Sequence, residues 1–385
     1  MLIYLYLLFL LCLLCAFKEK KWPLAISFVA LLVVAGFRDL SVGTDTQNYE
    51  SLFNMYGTNT ELMGHATEPL YLLLHIFVAY NGWGYSTLMF LSSLIVLAIL
   101  YVFAIKESPR PNFTILCFFL LYYYFYSFNT VRQFQAMMFV LLAWHYQTRS
   151  RYKLYYIFMA MGICFHFTAL VGLLSLIINK IKLSVEKQTI LLILSYFLGI
   201  TPMVKSVLSA TFGFLPDYFY SYIADSNDRE LTLSLSRFLL TLYVITLINL
   251  LKGNNIWIKL LVFGVFALNL FAFQPVVGRI AQFFTIVQIT IIPQIPNLIR
   301  NKKYSTGLAS ASIVYMLSVW LYLLSANTGE VLPYIYGGVQ LFALSCTILG
   351  GVILLCHDIK LFSISAQTEC YFGCDHIVRK EVRNG

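Results

Sequence analysis

Four arginines stand where apolar runs begin or end: Arg38 in "GFRDLSVGTDTQNYESLF", Arg132 in "NTVRQFQAMMFVLLAW", Arg237 in "SLSRFLLTL" and Arg279 in "VVGRIAQFF". Arginine presents a planar fork of donors that fits a phosphate bidentately and keeps its charge when partly buried, whereas lysine is a better hydrated point charge. Arginines at helix mouths therefore suggest a receptor for phosphate or pyrophosphate. The plainer reading pairs each one with a local carboxylate and makes it an anchor for its helix. Arg132 poses the question most sharply. With Thr130 as cap, its guanidinium lies in the first turn of a helix, where the dipole disfavours a cation. A bound anion or a buried carboxylate should sit beside it.

His166, in "MGICFHFTALVGLL", is an ionisable group among apolar residues, and at membrane depth such a group is a functional candidate. It can act as a base or a hydrogen-bond anchor, or be a histidine satisfied by a neighbouring hydroxyl or carbonyl. His75 reads as a packed residue and His65 as a solvated one. In "FGFLPDYFYSYIADSNDRELTLS", Asp217, Tyr218 and Tyr220, with Phe219, Tyr222, Asp225 and Asp228, combine flat apolar faces for sugar rings with carboxylates for hydroxyls. An amphipathic helix lying in the headgroup layer would look the same. Cys370 and Cys374 form a CxxxC pair with only His376 beside it, a weak metal signal. Cys12, Cys15, Cys117, Cys164, Cys346 and Cys356 lie in apolar runs as buried thiols. Nothing resembles a Walker loop, a dinucleotide turn, HExxH or a nucleophile elbow, which removes ATP-driven pumps and zinc proteases.

The elements that must hold these residues are membrane helices. Of 385 residues, 60% are hydrophobic and only 11% charged, with mean hydropathy +0.78, against about 25% charge in a soluble chain. Spans are expected at roughly 2–17, 22–37, 85–105, 112–128, 131–148, 188–201, 237–251, 255–273, 276–296, 304–325 and 336–356. The first is read as a retained span, not a signal peptide, because "KEKK" follows it in place of a cleavage site. Residues 154–179 carry basic residues at both ends and read as two short helices meeting near His166, with a single span as the alternative, and 70–82 should lie in the interface or re-enter. The fold class is an all-α polytopic membrane protein of about 11 spans plus a re-entrant hairpin, with one helical domain over 1–356 and a cytoplasmic tail over 357–385. The positive-inside bias puts the N-terminus outside and the C-terminus inside. That topology leaves Arg38, Arg132, Lys205, Arg229, Arg237 and Arg279 outside and the other basic residues inside, where lysine dominates.

The order "GFRDLSVGTDTQNYESLF", "EPLYLLLH", "NTVRQFQAMMFVLLAW", "YKLYYIFMAMGICFHFTALVGLL" and "VVGRIAQFFTI" resembles the EpsG-type family of exopolysaccharide and O-antigen polymerases, related in role to Wzy, over about residues 1–355. The landmarks are Arg38, Gly43, Asp45 and Tyr49; Glu68 before a proline; Arg132 and Gln133; and Phe165, His166 and Thr168. The tail has no counterpart in that pattern.

The resemblance implies a membrane glycosyltransferase (GT-C-like) bundle with a cleft open to the outer leaflet of a bacterial inner membrane. The implied reaction joins lipid-linked oligosaccharide units: a glycan leaves undecaprenyl pyrophosphate as an acceptor sugar hydroxyl attacks its anomeric carbon. Arg38, Arg132, Arg279 and Arg237 would hold the pyrophosphate without a metal or other cofactor. His166, Asp45 and Glu68 are the candidates for general base. Tyr49 would stack on a sugar or hold its loop to the membrane surface. Partners implied are the donor and acceptor lipids, the bilayer, a flippase and a chain-length regulator, with no nucleic acid. An O-antigen ligase would carry a larger outer domain, a transporter of lipid-linked sugars should show related halves, and an O-acyltransferase should gather its unusual charges inside.

Overall fold

The computed structural model describes residues 1–17, 22–58, 68–204, 206–207, 235–251, 255–272, 275–299 and 301–337. Every regular element among them is a helix, and the one strand-like pairing among them is the antiparallel bridge between Arg38 and Tyr336. In chain order the helices are α1 (Leu2–Cys15), α2 (Trp22–Gly36), α3 (Thr46–Thr58), α4 (Pro69–Tyr80), α5 (Tyr85–Glu107), α6 (Pro111–Leu120), α7 (Tyr123–Asn129), α8 (Val131–Thr148) and α9 (Tyr152–Phe165). A 3-10 segment (Phe167–Leu174) follows, then α10 (Ser175–Lys180), α11 (Val185–Leu198), α12 (Leu235–Leu251), α13 (Ile256–Leu270), α14 (Pro275–Thr285), α15 (Gln288–Leu298) and α16 (Lys302–Ser325). Met1–Tyr336 forms one unit, and a second begins at Gly337.

Local chemistry sets where these helices start. Pro69 and Pro111 occupy first turns, where a missing N–H costs nothing. Asn255 accepts from the Ile258 N–H at 2.9 Å and Asn301 from the Lys303 N–H at 3.0 Å, each capping its helix through the side chain. α5 and α16 are long and apolar enough to cross a bilayer, and the other apolar helices are shorter.

The middle of the unit is α8, buried along nearly its whole length and packed by α5, α9 and the 3-10 segment. At 1.5 Å per residue, about 26 Å separate the levels of Arg132 and Arg149, close to the hydrocarbon thickness of a bilayer. The described residues are those of a helical membrane protein packed around this helix.

Several expected spans are interrupted. The run 112–128 breaks at Leu121–Tyr122, where Tyr122 takes φ 69° and its hydroxyl donates to the Thr328 carbonyl at 3.0 Å. An unbroken helix would aim that hydroxyl elsewhere, so the partner explains the turn. The run 276–296 breaks at Ile286–Val287 between α14 and α15, and α15 carries Pro293 and Pro296 inside it. In 154–179 the helix does end at Phe165, because His166 is extended (φ −160°, ψ 123°). Residues 70–82 are mostly helix, as α4, and α3 is a helix where only a loop was expected. Cys117 is buried, but Cys12 is exposed on α1, which fits a lipid-facing helix better than a buried thiol. The span at 336–356 and the tail at 357–385, with Cys370, Cys374 and His376, lie outside the described residues except for Tyr336 and Gly337.

Candidate active site

Arg38 follows the last turn of α2 and is 2% exposed. One guanidinium nitrogen donates to the Ala35 carbonyl and, at 3.5 Å, to Ser93 Oγ; the other donates to the Phe128 carbonyl at 3.3 Å. Its carbon lies 4.6 Å from the centre of the Phe128 ring. Ala35 and Phe128 belong to the last turns of α2 and α7, so the cation sits at the negative ends of two helix dipoles. This corrects the expected pyrophosphate role: the fork is committed to carbonyls inside the protein and binds helices together. The neighbouring Asp39 does not pair with it. Asp39 accepts from the Ser41 amide at 3.0 Å and hydroxyl at 2.7 Å, which hold its carboxyl below the usual range.

The turn beyond it needs a glycine. Gly43 has φ +108°, and a Cβ there would come within 2.7 Å of Thr46 Oγ1. The turn starts α3 and places Asp45, whose amide donates to Asn129 Oδ1 at 3.4 Å.

Glu68 caps the start of α4, which packs against α9, and the packing brings the carboxyl to His166 at the end of α9. Glu68 Oε1 is hydrogen-bonded to His166 Nδ1, and Oε2 accepts from Arg132 Nη1 at 2.6 Å. The Glu68 side chain is 8% exposed. Burial pushes it up, but the His166 hydrogen bond and the Arg132 guanidinium outweigh this and hold it below its ordinary 4.5. Ionised, it only accepts, so Nδ1–H is the donor, and in the imidazole form Nε2 is the nitrogen left with a lone pair. Arg132 therefore has a buried carboxylate as its offsetting charge. The guanidinium also lies 5.6 Å from the Tyr49 ring and 5.8 Å from the Tyr71 ring, so Tyr49 faces an arginine. Thr130 caps α8 only through its backbone, since its hydroxyl donates to the Tyr126 carbonyl at 3.2 Å.

Two cavities meet over this cluster. The smaller, about 280 Å³, is lined by Asp45, Tyr49, Arg132, Gln133, His166 and Arg279. The larger, about 590 Å³, shares Asp45, Thr130 and Arg279 with it and adds Arg237, Tyr123 and Gln282. Arg237 approaches the Tyr196 ring at 6.0 Å. Arg279 is exposed on α14, one turn from Gln282.

The structure thus gathers Asp45, Glu68, Arg132, His166 and Arg279 at one place, with Arg237 across the larger cavity. It removes Arg38 from that group. Asp217, Tyr218 and Tyr220 lie outside the described residues. Gln133 was legible only as a landmark beside Arg132. Its amide donates to the Arg279 carbonyl at 2.6 Å and to Gln282 Oε1 at 3.4 Å, tying α8 to α14. Asn129 carried no signal of its own. It bridges two loops, accepting from Asp45 N and donating to the Gly329 carbonyl at 3.0 Å.

Fold and site together define a helical membrane protein in which arginines, Asp45 and one histidine line a cleft at one end of its central helix, with Glu68 bonded behind the histidine. The chain belongs to the EpsG family: that family's model matches residues 21–336. Membership suggests a role of the membrane polysaccharide-polymerase type. No curated protein and no solved structure matches the chain.

Proposed function

We propose that this protein polymerises lipid-linked oligosaccharide repeat units for O-antigen, capsule or exopolysaccharide on the outer face of a bacterial inner membrane. A glycan on undecaprenyl pyrophosphate passes to a sugar hydroxyl of an acceptor unit. The observation that carries this reading is His166, hydrogen-bonded to Glu68, lining a small cavity that joins a larger one bearing Arg237 and Arg279.

In this reading His166 Nε2 takes the proton of the acceptor hydroxyl as its oxygen attacks the anomeric carbon. Glu68 fixes the imidazole and stabilises the imidazolium that forms, so it is a positioning residue and no longer a candidate base. Asp45, at the junction of the cavities, is the alternative base. The anomeric C–O bond breaks as the new one forms, and the bonding pair leaves on the lipid pyrophosphate. Arg279 and Arg237 stabilise that charge without a metal. Arg132, bound to Glu68, contributes field more than direct contact.

The test supplies purified protein with synthetic undecaprenyl-pyrophosphate repeat units, with no nucleotide and with EDTA present. A ladder of products is expected. No ladder, together with movement of the lipid across a vesicle membrane, would overturn the polymerase in favour of a transporter.

A further inference from the structure

We infer that the protein holds one anionic phospholipid with a hydroxylated headgroup, of the phosphatidylglycerol kind, in a groove at the end of the bundle away from the cleft. The inference rests on the membrane character of the chain alone and stands or falls separately from the polymerase reading.

The groove has a volume of about 280 Å³ and runs between α10, α11 and α13. On α13, Lys259, Val262, Phe263 and Phe266 follow at helical spacing and line one face of it, with Leu191 opposite on α11. Leu268, farther along the same helix, lines the large cleft. Lys259, at the groove's polar end, therefore lies about 13 Å from Leu268 along the helix axis, and the groove's apolar end reaches Phe266.

The lining is graded. Lys259 lies in the first turn of α13 and Gln188 in the first turn of α11, and the apolar residues lie deeper along both helices. A lipid has the same order, with a charged head at the interface and a chain below it. The neighbouring sequence is basic: Lys180 and Lys182 flank the lining residue Ile181, Lys187 precedes Gln188, and all three are exposed, with Glu186 the one carboxylate among them. Lysines at such a boundary attract anionic headgroups. Lys259 Nζ donates to the Asn179 carbonyl at 2.9 Å, which holds the ammonium at the mouth.

Gln188 narrows the headgroup. It is 3% exposed, and its amide nitrogen donates to the Leu183 carbonyl at 2.9 Å. Its Oε1 is buried and has no hydrogen-bond partner within the protein. An orphaned buried acceptor is destabilising, and a hydroxyl donor from a ligand would relieve it. A phosphate for Lys259 and a hydroxyl for Gln188 are what a glycerol headgroup offers.

Delipidated full-length protein in detergent would be titrated with phosphatidylglycerol, phosphatidic acid and phosphatidylcholine of matched chains, and binding read by native mass spectrometry. Phosphatidylglycerol should bind roughly tenfold tighter than phosphatidylcholine. Lys259→Ala should remove that preference and Lys259→Arg restore it. Gln188→Leu should erase the advantage over phosphatidic acid, which lacks the glycerol hydroxyls. Val262→Trp should block the groove to every lipid. Should Lys259→Ala not fold, Lys259→Arg and Val262→Trp still decide the matter. Equal binding of phosphatidylglycerol and phosphatidylcholine, unchanged binding in Val262→Trp, or displacement by equimolar undecaprenyl phosphate would overturn the assignment.

Discussion

Glu68 accepts from Arg132 with one oxygen and is bonded to His166 with the other, and an amide in its place has only one oxygen to offer. Glu68→Gln should therefore lower ladder formation about 10²-fold while expression holds, the lower end of what a positioned acid or base contributes. Arg132→Lys keeps the charge but loses the fork, and should cost roughly tenfold or more. Because the two residues act through one contact, the double variant should be little worse than Glu68→Gln alone. Independent, multiplying losses would show that Arg132 acts elsewhere. The carboxyl also makes a pH prediction. Its folded value lies below 4.5, so the unfolded chain binds its proton first as pH falls. The stability it contributes is whole at pH 7 and drains as pH drops through the folded value. The gap in melting temperature between wild type and Glu68→Gln should hold above about pH 5 and shrink as pH falls further, through the folded value, and a constant gap down to about pH 3 would remove the argument. Residues of this kind were legible because charge is conspicuous in so apolar a chain. Their partners were not: Glu68 meets Arg132 from 64 positions away, and Arg38 looked the same in sequence although carbonyls hold it.

Gln133 makes the corresponding argument for elements. Its amide joins the first turn of α8 to the backbone of α14 beneath Arg279, so the guanidinium takes its place from a hydrogen bond two helices share. Gln133→Leu keeps the volume and removes that link. The expected result is a KM for the donor lipid raised several-fold, with turnover at saturation nearly kept, because the change affects placement of a binding group and not the base. A loss confined to kcat would mean that Gln133 touches the reacting atoms. Hydropathy located most of the long apolar helices within a few residues, since burial and lipid exposure both demand apolar runs. It missed α3, "TQNYESLFNMYGT", which is too polar to register as a span, and the breaks at Tyr122 and at Ile286–Val287, which occur inside unbroken apolar sequence. What makes those breaks is hydrogen bonding to distant loops and helix packing, and neither leaves a mark on composition. His166 is the exception. An extended residue between two helical stretches was foreseeable from basic residues at both ends of 154–179.

At the scale of the molecule, α8 carries an ion cluster at each end, and the two should answer mutation in opposite ways. At the Arg149 end, Glu107 Oε2 is bonded to His145 Nδ1 at 2.7 Å and Arg149 Nη1 at 2.9 Å, and its Oε1 accepts from Trp257 Nε1 at 3.0 Å. The His145 and Glu107 side chains are 4% and 10% exposed. These contacts join α5, α8 and α13, and none of the four residues lines either of the two joined cavities. Removing one member of a buried charged network leaves its partners unsatisfied and costs about 3–5 kcal/mol. Glu107→Ala should lower the melting temperature by several degrees while the folded fraction forms ladders at the wild-type rate. Glu68→Gln should do the reverse at neutral pH, losing activity with a smaller change in melting temperature, since Arg132 keeps access to water at 35% side-chain exposure. Measured together, the pair separates the end of the helix that holds the bundle from the end that serves the cleft. If Glu107→Ala lost activity in proportion to Glu68→Gln at equal folded fraction, the two ends would be coupled through α8, and the division of labour drawn here would be wrong.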